Sequence, residues 1–89
     1  MPQQMTNGWI ANFPPNSDFE VIEHRKGKDV SHRPTGVFIH ADWQRVYLNY
    51  AGIHAPLVRF QLPLEPEVLR DVADALRELA ADLEMKQGR

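Results

Sequence analysis

The sequence predicts an α+β fold: a four-stranded antiparallel β-meander with one C-terminal amphipathic helix packed on one face. Three observations predict it. Leu69, Val72, Leu76, Leu79 and Leu83 recur every three or four residues, flanked by Val68, Ala73, Ala75 and Ala80. That is the period of a helix with a broad apolar stripe. Residues 18–25, 35–42, 45–50 and 57–62 alternate apolar and polar side chains and are rich in β-branched and aromatic types, as half-buried strands are. Gly27 and Pro34 punctuate the polar stretch 26–34, and Gly52 and Pro56 lie in 51–56, where turns form.

In chain order, residues 1–17 are expected to form a flexible N-terminal arm, and residues 18–89 a single α+β domain. Residues 1–8 (MPQQMTNG) are polar and lack periodicity, as loose termini do. Trp9-Ile10-Ala11-Asn12-Phe13 reads as a short strand or an arm that docks through its aromatic rings. Pro14-Pro15 stops it, because proline lacks an N–H donor and restricts the residue before it. The first predicted strand, 18–25 (DFEVIEHR), puts Phe19 and Val21 on one face and Glu20, Ile22 and His24 on the other. Residues 26–34 (KGKDVSHRP) are expected to be a long polar loop.

The next three strands sort into two faces. Val37, Ile39, Ala41, Val46, Leu48, Tyr50, Val58, Phe60 and Leu62 fall on one. Phe38, His40, Asp42, Arg45, Tyr47, Asn49, Leu57, Arg59 and Gln61 fall on the other. One covered and one open face of an antiparallel sheet give this pattern, and the helix is expected to cover the first. A short turn at 42–45, started by Asp42, sets Ala41 opposite Val46, His40 opposite Tyr47 and Ile39 opposite Leu48. The next hairpin, with 51–56 as its loop, sets Leu48 opposite Phe60 and Asn49 opposite Arg59. Pro66 suits the first helical position, and Glu65 and Glu67 complement the positive end of the helix dipole. The helix is predicted over 66–83, with Leu76 at the centre of the buried stripe.

Composition narrows the function. The chain has 89 residues, 43% hydrophobic and 25% charged, with no cysteine and a net charge of -2. It is one domain of ordinary globular composition, without disulfide staple or thiolate metal site. A net acidic chain has no global attraction to nucleic acid or anionic membranes, and no run is long and apolar enough to span a bilayer. With no secretory signal pattern at the start, the expected location is cytoplasmic. A chain this short buries only about 60–65% of its unfolded surface, so self-association is a natural way to gain core.

Candidate chemistry is sparse. His40 and Asp42 share a strand face and His24 lies near it, which suggests a two-histidine, one-carboxylate metal site. The spacing matches no ligand motif, and His32 and His54 fall in loops, so surface histidines are the expectation and no metal or cofactor is assigned. Asp18, Glu20, Glu23 and Lys26 have carboxylate-plus-lysine chemistry without nuclease spacing, and Ser31-His32 adjacency does not make a nucleophile–base pair. The expectation is a non-enzyme. Arg25, Lys26, Lys28 and Arg33 form the one basic cluster, a candidate anion or nucleic-acid contact beside Phe38, Tyr47 and Arg59; a solvated loop guarding a strand edge is favoured over it. The strongest signal is the second sheet face. Ile22, Phe38, His40, Tyr47, Leu57 and Arg59 have the aromatic-plus-arginine composition of a protein interface, and the equal alternative to a protein contact is that the N-terminal segment covers this face with Trp9, Ile10 and Phe13. The expected function is therefore a small protein-binding module, of adaptor or inhibitor type, that pairs with itself as a homodimer or binds a foreign protein. The alternative is a nucleic-acid binder using that face and the 24–33 loop.

Overall fold

The computed structural model describes residues 2–53 and 60–88. It is α+β, with one C-terminal helix and antiparallel sheets, but the described residues form seven strands rather than a four-stranded meander. The strands are β1 (Gln3–Met5), β2 (Gly8–Asn12), β3 (Val21–Arg25), β4 (Lys28–His32), β5 (Gly36–Ala41), β6 (Arg45–Ala51) and β7 (Phe60–Pro63), followed by α1 (Pro66–Lys86). A five-stranded sheet runs β1-β2-β5-β6-β7, and β3 and β4 form a separate two-stranded sheet.

Two readings of the N-terminal half are corrected. The segment expected as an arm supplies β1 and β2, which extend the main sheet: Trp9 lies opposite Ile39, Ile10 opposite Phe38 and Ala11 opposite Val37. These strands were hard to see because one is three residues long and mostly polar, and edge pairing is decided by the neighbouring strand more than by local propensity. Gly36 permits the close approach of β2 to β5, since a Cβ there would collide with the carbonyl oxygen of Ala11.

The second correction concerns residues 18–34. The first predicted strand does not join the main sheet, and the expected loop is a strand. Arg25 lies opposite Lys28 and Val21 opposite His32 in a tight hairpin. Its two turn residues, Lys26 and Gly27, both have positive φ, 40° and 84°, which marks a type I′ turn. This hairpin is inserted into the connection between β2 and β5, whose ends meet at Asn12 and Gly36. Phe13 N–H donates to Thr35 O, and Thr35 N–H donates to Ala51 O, both at 2.8 Å, closing the base of the insertion.

The central register is as expected. Ala41 lies opposite Val46, His40 opposite Tyr47, Ile39 opposite Leu48, and Leu48 opposite Phe60. The pairing of Asn49 with Arg59 falls outside the described residues. Asp42 starts the β5–β6 turn: its Oδ1 accepts from the N–H groups of Gln44 at 2.8 Å and Arg45 at 2.9 Å. Those bonds, Arg45 first, hold the Asp42 carboxyl below its usual pKa.

The helix starts at Pro66 as predicted and runs to Lys86. Its packing is the third correction. It meets the sheet chiefly along β7, an edge strand, and only Val68, Leu69, Val72 and Ala73 are half-buried. With two residues between β7 and α1, the helix leaves from the sheet edge. Its 21 residues span about 31 Å, so the later turns run on without a sheet beneath them. Leu76, expected at the centre of the core, is exposed.

Candidate functional site

Strand alternation gives the five-stranded sheet an apolar face and a mixed face. Across the apolar face runs the row Trp9–Ile39–Leu48–Phe60, one residue from each of four strands. Ala11–Val37–Tyr50 lies on one side of it and Ala41–Val46–Leu62 on the other. None of these side chains is charged. Among the described residues the one buried hydrophobic is Val46, 5% exposed. Trp9 is 47% exposed and Phe60 62%. A shallow groove of about 300 Å³ lies between Val37, Leu48, Tyr50 and Phe60. Phe13 and Phe19 meet edge-to-face at 5.6 Å, and Phe19 leans on Tyr50 at 6.2 Å, so the irregular segment before β3 packs at the Tyr50 end.

The helix carries the matching surface. Leu76 is 60% exposed, Leu79 53% and Leu83 46%. Its charged residues pair along the helix itself, Arg77 with Asp74 and Lys86 with Asp82. Among the described residues one chain thus presents an apolar sheet face exposed at Trp9 and Phe60, with Ile39 and Leu48 half-buried between them, and an apolar helix stripe exposed from Leu76 on.

The mixed face brings together three of the six interface residues expected from sequence. Phe38, His40 and Tyr47 stack in a ladder, with centroids 5.2 Å apart at each step and planes within 25°. The Asn49 side-chain amide hydrogen-bonds His40 Nε2 at 3.0 Å. Tyr47 OH donates to Asp42 Oδ2 at 3.0 Å. The rings lie on one another and are half-buried, so this face shows less open apolar surface than its opposite. Ile22 is exposed on the separate hairpin, opposite Ser31, and does not join the ladder's sheet. Leu57 and Arg59 lie outside the described residues.

The basic cluster sits on the β3–β4 hairpin, and two of its four cations have carboxylate partners. Arg25 Nε donates to Glu23 Oε2 at 2.8 Å, and Arg33 Nη1 donates to Asp18 Oδ1 at 2.7 Å. Lys26 and Lys28 flank Gly27 at the turn. His32, half-buried, donates from Nε2 to Glu23 Oε1 at 2.9 Å, and His24 Nδ1 donates to Asp29 Oδ1 at 2.6 Å. The Arg25 bond, then the His32 bond, hold the Glu23 carboxyl below its ordinary pKa. Ser31 Oγ donates to Glu20 Oε2 at 2.6 Å. Acids and bases on this hairpin face one another, which leaves less field for an outside phosphate. Among the described residues no group of three or more His, Asp or Glu converges as a metal site, and no helix is long and apolar enough to cross a membrane.

Sequence reasoning missed Trp9 and the helix stripe as surface. Residues 9–13 read as a short strand or a docking arm, and what sequence did not show is the pairing of that strand with β5, which sets Trp9 on the apolar face. The stripe was assigned to the core because periodicity reports which face is apolar and not what covers it. The available signal was length: a helix of six turns following a two-residue connector overruns a sheet of short strands. No family model matches the chain, and neither the curated proteins nor the solved structures contain a significant match to it.

Proposed function

We propose that the chain is a non-enzymatic protein-binding module whose working surface is the apolar sheet face together with the helix stripe. The observation that carries this reading is the simultaneous exposure of Trp9, Phe60, Leu76, Leu79 and Leu83. An apolar surface contributed by both a sheet and a helix is much more than the scattered exposed hydrophobics of a stable monomer, and such surfaces mark protein contacts. The total accessible area supports it. The chain exposes 7545 Å², whereas a folded monomer of 10.2 kDa exposes about 5,300 Å². Its radius of gyration is 15.0 Å, against about 12 Å for a compact chain of this length. This surface replaces the mixed face as the leading contact, because the Phe38–His40–Tyr47 ladder already covers much of itself.

Hydrodynamic mass and binding of an anilinonaphthalene dye test the reading together. An assembled chain with the surface covered, or a monomer that binds the dye strongly, is the expected result. A monomer that binds no dye would mean that the helix folds back over its own sheet, and the reading would fail.

A further inference from the structure

We infer that the occupant of this surface is a second copy of the chain, the C-terminal helix of each copy lying on the apolar sheet face of the other. This rests on the protein-contact reading above and names its partner. Four observations carry it.

Among the described residues each chain holds both halves of one contact: a sheet face whose Trp9 and Phe60 are exposed and a helix stripe exposed at Leu76, Leu79 and Leu83. A two-fold exchange satisfies both halves twice with a single interface, as isologous dimers do. The area agrees. The excess over a compact monomer of this mass is about 2,200 Å² per chain, more than the roughly 800 Å² per partner that a standard-size interface needs.

The dimensions also fit. Five strands about 4.8 Å apart span about 19 Å, and a helix is about 10 Å across. The sheet has room for two helices side by side. The first turns of its own helix lie at the β7 edge, which leaves the ground over β2, β5 and β6 for the partner's.

The chemistry of the stripe selects a sheet over another helix. Leu69, Val72, Leu76, Leu79 and Leu83 have the alternating three–four spacing of a coiled-coil seam. A two-stranded coil, however, places charged pairs beside the seam. Here the flanks are Val68, Ala73, Ala75 and Ala80, with Asp82 the one charge. A broad, shallow apolar face of that kind suits a sheet. The row it would meet, Trp9–Ile39–Leu48–Phe60, has no charge to desolvate.

The absence of cysteine permits a direct test. Glu78→Cys, on the polar side of the helix, carries a nitroxide in unlabelled chain, which is unfolded and refolded with an equal amount of nitrogen-15 chain. Light scattering at micromolar concentration should give twice the mass of 10.2 kDa. Relaxation enhancement between copies should broaden the amides of Trp9, Ile39, Leu48 and Phe60, and Leu79→Asp should halve the mass and abolish the broadening. Broadening confined to residues 69–83 would mean that helices pair with helices and would overturn the inference. So would a single-chain mass for the parent protein. In that case dye binding separates the two failures: a monomer that binds dye leaves the protein-contact reading standing with a foreign partner, and one that does not removes both.

Discussion

Leu76→Ala separates a stripe that faces water from one covered by another chain. Leu76 is 60% exposed, so about two-fifths of its side chain is shielded within its own chain. Full burial of a leucine is worth about 1.5–3 kcal/mol, which makes truncation in an isolated chain cost about 1 kcal/mol. The higher helix propensity of alanine returns a few tenths of that. If a partner's sheet covers the stripe, the change removes a buried side chain and leaves a cavity, at about 2–5 kcal/mol. The assay is urea unfolding followed by helical circular dichroism. A chain of this size has a urea slope of about 1 kcal/mol per molar, so the midpoint falls by less than about 1 M in the first case and by 2 M or more in the second. Protein concentration gives an independent reading. An obligate dimer gains about 1.4 kcal/mol of apparent stability for each tenfold increase in concentration, and a monomer gains none. Glu78→Ala, on the exposed polar side, should change stability by less than about 0.5 kcal/mol. A cost for Leu76→Ala no larger than that of Glu78→Ala, with midpoints independent of concentration, would refute the reasoning.

Two further outcomes are expected. The Glu23 carboxyl is held below its ordinary value of 4.5 by Arg25 and His32, so its contribution is fully present above that value and is lost as pH falls through the lower folded value. The Glu23 side-chain carboxyl carbon, followed by NMR, should therefore titrate below pH ~4.5, and Glu23→Gln should remove its share of the loss of stability in acid; a Glu23 carboxyl that titrates at or above that value would show that Arg25 and His32 do not hold it. Gly36→Ala places a methyl against the carbonyl of Ala11 and should cost about 1–3 kcal/mol in the same urea assay, whereas an unchanged midpoint would show that β2 does not approach β5 so closely.

The legible part of the fold was the part in which local and cross-strand signals agree. From β5 to β6 the side-chain period of two and the Asp42 turn specify the same register, and a slip of one residue would turn every apolar side chain to the opposite face. Pro66 and the acidic residues beside it fixed the helix start for equally local reasons. The β3–β4 hairpin lacked such agreement. Its turn dipeptide is Lys-Gly where Asn-Gly or Asp-Gly is the usual type I′ signal, and its strands are dense in charge. Two of those charges are satisfied across the hairpin, Glu23 by His32 and His24 by Asp29, which is invisible until the strands are paired, while Arg25 reaches Glu23 along β3 itself. Read without the pairing, the same residues look like a basic loop awaiting an anion.

The surface was legible in quantity and not in place. Sequence alternation shows more apolar side chains than one helix can cover, and it labelled the Phe38–His40–Tyr47 face as the surplus on the premise that the helix covers the other. The fold removes that premise, because the edge departure of α1 leaves Leu76, Leu79 and Leu83 and the Trp9–Phe60 row uncovered together. Phase along a helix or strand is a property of the chain, whereas coverage is a property of whichever surfaces meet. The two coincide only when a chain is large enough to close its own core. Here Val46 alone among the described residues is a buried hydrophobic. The half-buried rows of the sheet add to it, but the side chains with most area still to bury are those on the stripe and the open row. Burying them against each other is the largest stabilisation still open to this chain, and contact with another protein would then act on folding and assembly in one step.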